Sequence, residues 1–364
     1  MNDIDDLISR SAEQDIRKTD TVLPMQGITW VGKKVSFALG EQSQTSQVWG
    51  AMGDTRLAPV ELTNHAFRQL CTKLGAAVWP RKNKSLPLEF LLALPDEICG
   101  ESLNWSTQLY TDMFPNKKWL WREYASQPQE GVFKTSVRAV LDGLYPTVSN
   151  TELLQASRKM VGNELTYHLV RPHVAADEMN VRLLVRNVGN NYGVGVYIGN
   201  SEIGTSKIRI MPFIQRHSCT NSIVNAEGGV ELVHRGDIHS LRVQLTSAMA
   251  QALHQTGETL DRMLAAELEL IPNFSSVLRG LAAQYNWSEE VTSTAFIGCE
   301  GSSTRAGLVN AITYAAHTHF EGTQQAEMEI LGGAILVAPN SLFEHAARQS
   351  RVKSKLVERE LQEI

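Results

Sequence analysis

Hydrophobic and polar positions follow three different rhythms along the chain, and the changes of rhythm divide it into three parts. The first, residues 1–60, opens with a polar run from Met1 to Asp20 that has room for a short frayed helix. An extended stretch follows from Ile28 to Leu39, punctuated by Gly27, Gly32 and Gly40, and reads as an N-terminal arm. In the second part, residues 61–240, the spacing of Phe67, Leu70, Cys71 and Leu74 predicts a helix capped by Thr63 or Asn64 and stopped by Gly75. A short helical pattern covers Leu88 to Ile98, and Pro80, Pro87, Pro95 and Pro115 keep the elements short. From Trp119 to Val233 short runs of branched and aromatic residues alternate with Gly, Asn and Asp clusters, which predicts strands. One helix interrupts them, Asn150 to Val161, opened by Ser149 or Asn150 with Glu152 in its first turn.

The third part, residues 241–364, is helical in character. Leu241, Leu245, Ala248 and Ala252, then Leu260, Met263, Leu264 and Leu268, keep a three-and-four spacing up to Pro272. Shorter helices are predicted behind Asn286 or Ser288, from Thr304 to Phe320, and from Leu342 to Leu361. Helices, then strands, then helices define an α+β chain: an antiparallel sheet in the middle, flanked by helices, with a helical C-terminal part.

Alternation within the middle strands assigns their faces. In Val181 to Val188, Val181, Leu183 and Val185 point one way, and Arg182, Leu184 and Arg186 the other. In Lys207 to Arg216, Ile208, Ile210 and Ile214 turn inward while Lys207, Arg209, Met211, Phe213 and Gln215 turn outward. Between them, Gly193, Gly195 and Tyr197 share the second face. Turns at Asn190-Asn191 and Gly199-Asn200 let the strands pair in order as a meander. The result is an open face, low at its glycines, with Tyr197 and Phe213 flanked by Arg182, Arg186, Lys207 and Arg209. Cations that track a backbone beside rings that stack on bases suit single-stranded nucleic acid. Basic residues on such a face are more often simply solvated or covered by a helix.

Composition narrows the classes. With 364 residues, 43% hydrophobic and 20% charged, the chain is that of a self-sufficient globular protein. Asp3, Asp5 and Asp6 break the opening run, so no signal peptide is expected, and no apolar run is long enough for a membrane span. The formal charge of -5 is uneven: Lys117 to Arg242 holds +4 and the remainder -9. Cys71, Cys99, Cys219 and Cys299 lie far apart, which disfavours a zinc knuckle, an iron–sulfur site or a redox pair.

Other constellations are weaker. Gly193, Gly195, Gly199 and Gly204 lack the spacing and the following helix of a phosphate loop. His217, Cys219, His234 and His239 have the donor types for zinc, but turn and surface histidines are commoner in strand-rich segments. Ser201 and Ser206 sit in no nucleophile elbow, and Asp177, Glu178 and Glu202 show no nuclease spacing. No cofactor is expected. The long helix from Leu241 offers a stripe for core packing or for self-association as a homo-oligomer.

Two sets of blocks resemble a family of phage and plasmid proteins, domain of unknown function 932. The first is Phe67 to Gly75, with Val137-Arg138-Ala139-Val140-Leu141, Tyr145 and Asn150 to Leu154. The second is Gly199-Asn200-Ser201-Glu202-Ile203-Gly204-Thr205-Ser206, then Pro212 to Ile214, Arg216, Cys219 to Asn221 and His239. The chain departs from the pattern at Asp142-Gly143-Leu144, where the family has Ser-Asp-Arg before the tyrosine. The resemblance implies a mobile-element protein in the cytoplasm of a bacterial host, acting in DNA metabolism such as annealing or recombination. It also draws Arg138, Arg216 and Asn200 into the candidate nucleic-acid contacts. The expectation is a non-enzymatic binder of single-stranded nucleic acid. The alternatives are a factor that inhibits or recruits a host protein and, third, a metal-dependent enzyme.

Overall fold

The computed structural model describes residues 4–37, 44–48, 59–78, 85–125, 134–146, 148–161, 168–217, 221–234 and 238–350. The α+β expectation holds, but the strands form two sheets rather than one.

The first sheet contains β1 (Lys18–Pro24), β2 (Ile28–Val31), β3 (Lys34–Phe37), β4 (Gln44–Val48), β5 (Val60–Leu62), β6 (Lys118–Ala125) and β7 (Thr135–Asp142). They run in the order β2-β3-β5-β7-β6-β1-β4, antiparallel except for the β5–β7 pair. The extended stretch from Ile28 is therefore part of this sheet up to Phe37, where β2 and β3 pair at one edge and β3 joins β5, while β1 lies inside it between β6 and β4. Its alternation explains this: Leu23 is buried among Trp119 and Trp121 on one face, while Val22 packs beside Leu120 and Leu141 on the other.

Behind α1 (Ile4–Asp15), three helices accompany this sheet: α2 (Asn64–Val78), α3 (Leu88–Ala93) and α4 (Asp96–Met113). Phe67, Leu70, Leu74, Cys99, Leu103 and Tyr110 of these helices bury one sheet face with Trp30, Trp121 and Val140. Thr63 caps α2 through its hydroxyl, 3.2 Å from the Ala66 amide, as the sequence predicts. The helix nonetheless runs through Gly75, since a single glycine costs only about 1 kcal/mol against the burial of its apolar face. The pattern over Leu88 to Ile98 splits at Pro95 into α3 and the much longer α4.

After α5 (Asn150–Val161), the second sheet comprises β8 (His168–Leu169), β9 (His173–Val174), β10 (Glu178–Val188), β11 (Tyr192–Ser201), β12 (Ile208–Arg216), β13 (Ser222–Val224) and β14 (Val230–Leu232). Its backbone is the predicted meander, β13-β12-β11-β10 with β8 beyond. One face carries Val194, Val196, Ile198, Ile208, Ile210 and Ile214. The long helix α6 (Ile238–Ala266) crosses it with Leu245, Met249, Leu260 and Met263, so its stripe packs the core.

The chain then forms α7 (Phe274–Gln284), α8 (Glu289–Gly298), α9 (Arg305–His319), α10 (Gly322–Val337) and a helix over 340–350. Ser288 and Thr304 cap α8 and α9 as expected. Helix α10 lies on the other face of the second sheet, over Leu184, Tyr197, Met211, Phe213 and Val224. Gly333 makes this possible, because a Cβ there would stand 2.1 Å from the Val224 carbonyl oxygen. Among the described residues no helix is long and apolar enough to cross a membrane.

Candidate functional site

The face read from sequence as open and basic is the packing face of α10. Arg182 is 1% exposed; its Nε donates to Glu329 Oε2 of α10 at 2.7 Å and its guanidinium lies over Tyr197. His317 Nε2 and Gln325 Nε2 meet Glu329 Oε1 at 2.9 and 2.8 Å, so the carboxylate is fully partnered. Burial opposes the charge of Glu329, but Arg182 and His317 outweigh it and hold its pKa below the usual range. Tyr197, buried, donates to Asn180 Oδ1 at 2.6 Å, and Phe213 is wholly enclosed. Neither ring has a face open for a base.

The other predicted contacts are scattered. In β10 the register jumps between Leu184 and Arg186, leaving Val185 as the extra residue of a bulge. Arg186 therefore lies opposite Val194 and emerges, exposed, on the α6 side of the sheet, away from Arg182. Lys207 and Arg209 both bind Glu231, at 2.6 and 3.2 Å, on the neighbouring β14. Arg216 is half-buried and lies 3.7 Å from Glu300. Asn200 is buried, donating to Asn150 Oδ1 at 2.9 Å and to the Val148 carbonyl at 3.3 Å. Arg138 belongs to a different sheet altogether. The expected open surface is thus not formed: the arginines that should line it are paired, buried or on the wrong face.

Cations interleaved with rings do meet elsewhere. At the start of β6, the Lys73 ammonium of α2 lies 4.6 Å from the Trp119 ring centroid, and that of Lys117 lies 5.1 Å from it. Tyr110 and Phe114, at the end of α4, stack obliquely 4.8 Å apart, with Tyr110 6.0 Å from Trp119. Phe114 is 40% exposed and Met113 41%, so the apolar end of this cluster reaches solvent. Lys117 binds Asp142, whereas Lys73 makes no ion pair among the described residues. Burial, reinforced by the neighbouring Lys117 charge and only partly offset by Asp142, lowers the Lys73 pKa to about 8. Gly143 closes the strand end: its amide donates to the Lys118 carbonyl at 3.1 Å, and a Cβ there would lie 2.8 Å from that oxygen. The Lys117-Lys118-Trp119 run was the available sequence signal, while Lys73 reaches it only through the packing of α2.

A second feature lies where the two sheets join. The remaining face of the first sheet carries Lys18, Asp20 and Arg122, all 5% exposed or less. Arg122 grips Asp20 through Nε and Nη2 at 2.8 and 2.7 Å, and its Nη1 donates to the Glu202 carbonyl in the turn after β11. Lys18 binds both Asp15 and the Glu202 carboxylate, the latter at 2.7 Å, and the Asn150 amide donates to Glu202 Oε1 at 2.8 Å. His65 and Gln69 meet the Ile203 carbonyl at 3.1 and 2.9 Å. Tyr145 stacks on His234, with ring centroids 4.9 Å apart. Burial raises the Tyr145 pKa to about 12 and lowers that of His234 to about 4. Gln69, Arg138, Tyr145, Asn150, Asn200 and Glu202, which sit in sequence blocks far apart, thus converge on one centre.

Among the described residues no three His, Cys, Asp or Glu side chains are grouped to hold a metal. His234 stacks on Tyr145, and Cys219 lies outside the described residues. No family model matches the chain, and neither a curated protein nor a solved structure does.

Proposed function

We propose that this protein binds single-stranded nucleic acid without catalysing a reaction on it, and that the contact surface is the Lys73–Lys117–Trp119–Phe114 cluster rather than the second sheet. The observation that carries the reading is two ammonium groups converging on one indole beside a half-exposed phenyl ring. The lysines supply charge for phosphates, and Phe114 supplies a stacking platform worth roughly 1–3 kcal/mol per base. Lys73 is the more telling of the two. A cation held partly desolvated beside another cation gains most from an incoming anion.

The test is binding of the full chain to labelled single-stranded and duplex DNA across a salt series. Salt-sensitive binding that favours single strands is expected. Lys73→Gln with Lys117→Gln should weaken it at least about tenfold and reduce the salt slope by roughly 1.4, about 0.7 for each lost phosphate contact. Phe114→Ala should weaken binding while leaving the slope unchanged. Binding that ignores all three substitutions would refute the assignment.

A second reading, docking of a protein partner, has its own observation. Ile98 and Trp105 are 49% and 61% exposed and lie two turns apart on one face of α4. Trp105→Ala should leave DNA binding untouched and abolish capture of a protein partner on this face.

A further inference from the structure

The centre at the join contains one arginine that its surroundings leave incomplete. The β6–β7 register jumps from Arg122↔Ala139 to Glu123↔Val137, so Arg138 is the extra residue of a bulge with no partner across the ladder. Bulges re-aim side chains, and this one sends Arg138 into the join, where Nη1 donates to the Ala176 carbonyl at 2.6 Å. The Tyr124 ring lies against the guanidinium, 4.9 Å away, and fixes its plane. The residue is 5% exposed.

What remains is the Nε–Nη2 edge, the fork that matches two oxygens of one anion. In Arg122 that edge is filled by Asp20, and in Arg305 it is filled by Glu269 at 2.7 and 2.6 Å. In Arg138 both atoms are buried and neither has a partner among the described residues. The carboxylates nearby are already engaged: Asp20 by Arg122, Asp15 by Lys18, and Glu202 by Lys18 and the Asn150 amide. With Asp177 close by, the carboxylates are no fewer than the cations Lys18, Arg122 and Arg138, so what the Arg138 fork lacks is geometry rather than nearby charge. Asp177 adjoins the Ala176 carbonyl yet does not reach the fork. Burial lowers the Arg138 pKa, and the charges of Glu202, Asp177 and Asp20 offset it only in part. Buried charged donors with no acceptor are rare in native folds, and an unfilled fork is a specific shape rather than a general deficit.

We infer that the Arg138 fork is the anchor of a binding site for a small oxyanion, bordered on its outer side by the half-exposed residues 175–177. The ligand offers two coplanar oxygens, as a phosphate or a carboxylate does. This site is separate from the Lys73 cluster, which lies at the other end of β6 and β7 on the opposite face of the sheet.

The experiment is thermal unfolding of the full chain in increasing inorganic phosphate, with chloride adjusted to hold ionic strength constant, and a parallel series in acetate. A saturable rise in Tm with phosphate identifies a phosphate-type ligand, and one with acetate alone identifies a carboxylate. Arg138→Lys keeps the charge and removes the fork, so the saturable rise should disappear while circular dichroism shows an unchanged fold. Arg138→Met gives a second reading should the lysine variant fail to fold. Lys73→Gln with Lys117→Gln should keep the full response, which separates this site from the nucleic-acid surface. No response to either anion, or an equal response in wild type and both Arg138 variants, would overturn the inference.

Discussion

The join between the sheets and the α10 lid over the second sheet each bury an arginine that projects from a strand, and they pair it differently. Arg122 takes its carboxylate from the adjacent strand β1, inside its own sheet, and adds a backbone carbonyl from the other half. Arg182 takes its carboxylate from a helix 147 residues further along the chain, and that carboxylate is held by two more side chains of the helical layer. The join is a mesh of backbone and side-chain contacts in which no member can be removed cleanly. The lid is a plug of one charge in one socket.

Double substitutions should expose that difference with the largest effects. Arg182→Met leaves Glu329 buried beside His317 without its main counter-charge, and Asp20→Ala leaves Arg122 likewise. Each should cost about 3–5 kcal/mol of unfolding free energy by denaturant titration. Adding Glu329→Leu to Arg182→Met should recover most of the loss, because the pair is then replaced by apolar packing. Arg122→Leu added to Asp20→Ala should recover little, since the Glu202 carbonyl loses its donor as well. Equal recovery in the two places would show that they are built alike.

Acid should separate them next. His234 at the join is held neutral by burial, its pKa lowered from 6.5 to about 4. Between those values the unfolded chain binds the proton and the folded chain does not, so stability falls as pH drops from about 6.5 to about 4, by up to about 3 kcal/mol. His173, beside the start of α10, has the opposite sign. Its hydrogen bond to Glu178 raises its pKa, so its contribution is complete below pH 6.5 and is lost as pH rises through the raised value. His234→Gln should flatten the acid limb, and His173→Gln the limb above pH 6.5, in unfolding curves measured across pH.

A smaller effect sharpens the view of the lid as a close-fitting plug. Gly333→Ala places a methyl group against the Val224 carbonyl and should cost about 1–3 kcal/mol. Gly257→Ala, in α6, meets no atom within 4 Å and should be neutral or slightly stabilising by the same measurement.

Local signals made much of this legible in the sequence. Ser149 and Glu152 form a reciprocal cap on α5, each side chain 3.1 Å from the other's amide, and the residues themselves announce it. The β10–β11–β12 meander was readable from its alternation and its Asn190-Asn191 turn, whereas Gly199-Asn200 lies within β11 and the second turn falls at residues 202–206. Helix α10 was not, because its polar residues Gln324, Gln325, Glu327 and Glu329 crowd its first half and its second half is wholly apolar, so apolar and polar positions do not recur with a helical period. Without α10 to cover it, the second face has the pattern of an open one. The bulges at Val185 and Arg138 were equally silent, since one extra residue in a strand leaves no mark on composition yet reverses which side a basic residue faces. Arg138, Asn200 and Glu202 could be picked out one by one, but only long-range folding shows that they share a centre.

The position of α10 has a consequence for how the protein is made. At translation rates of about 5–20 residues per second, Arg182 waits roughly 7–30 s for the carboxylate 147 residues behind it to be synthesised. From their own synthesis until then, Tyr197, Met211 and Phe213 have no cover on the nascent chain. A ribosome stalled before Glu329 would display an apolar sheet bearing one unmatched cation, a surface suited to capture by chaperones or to pairing with another nascent copy.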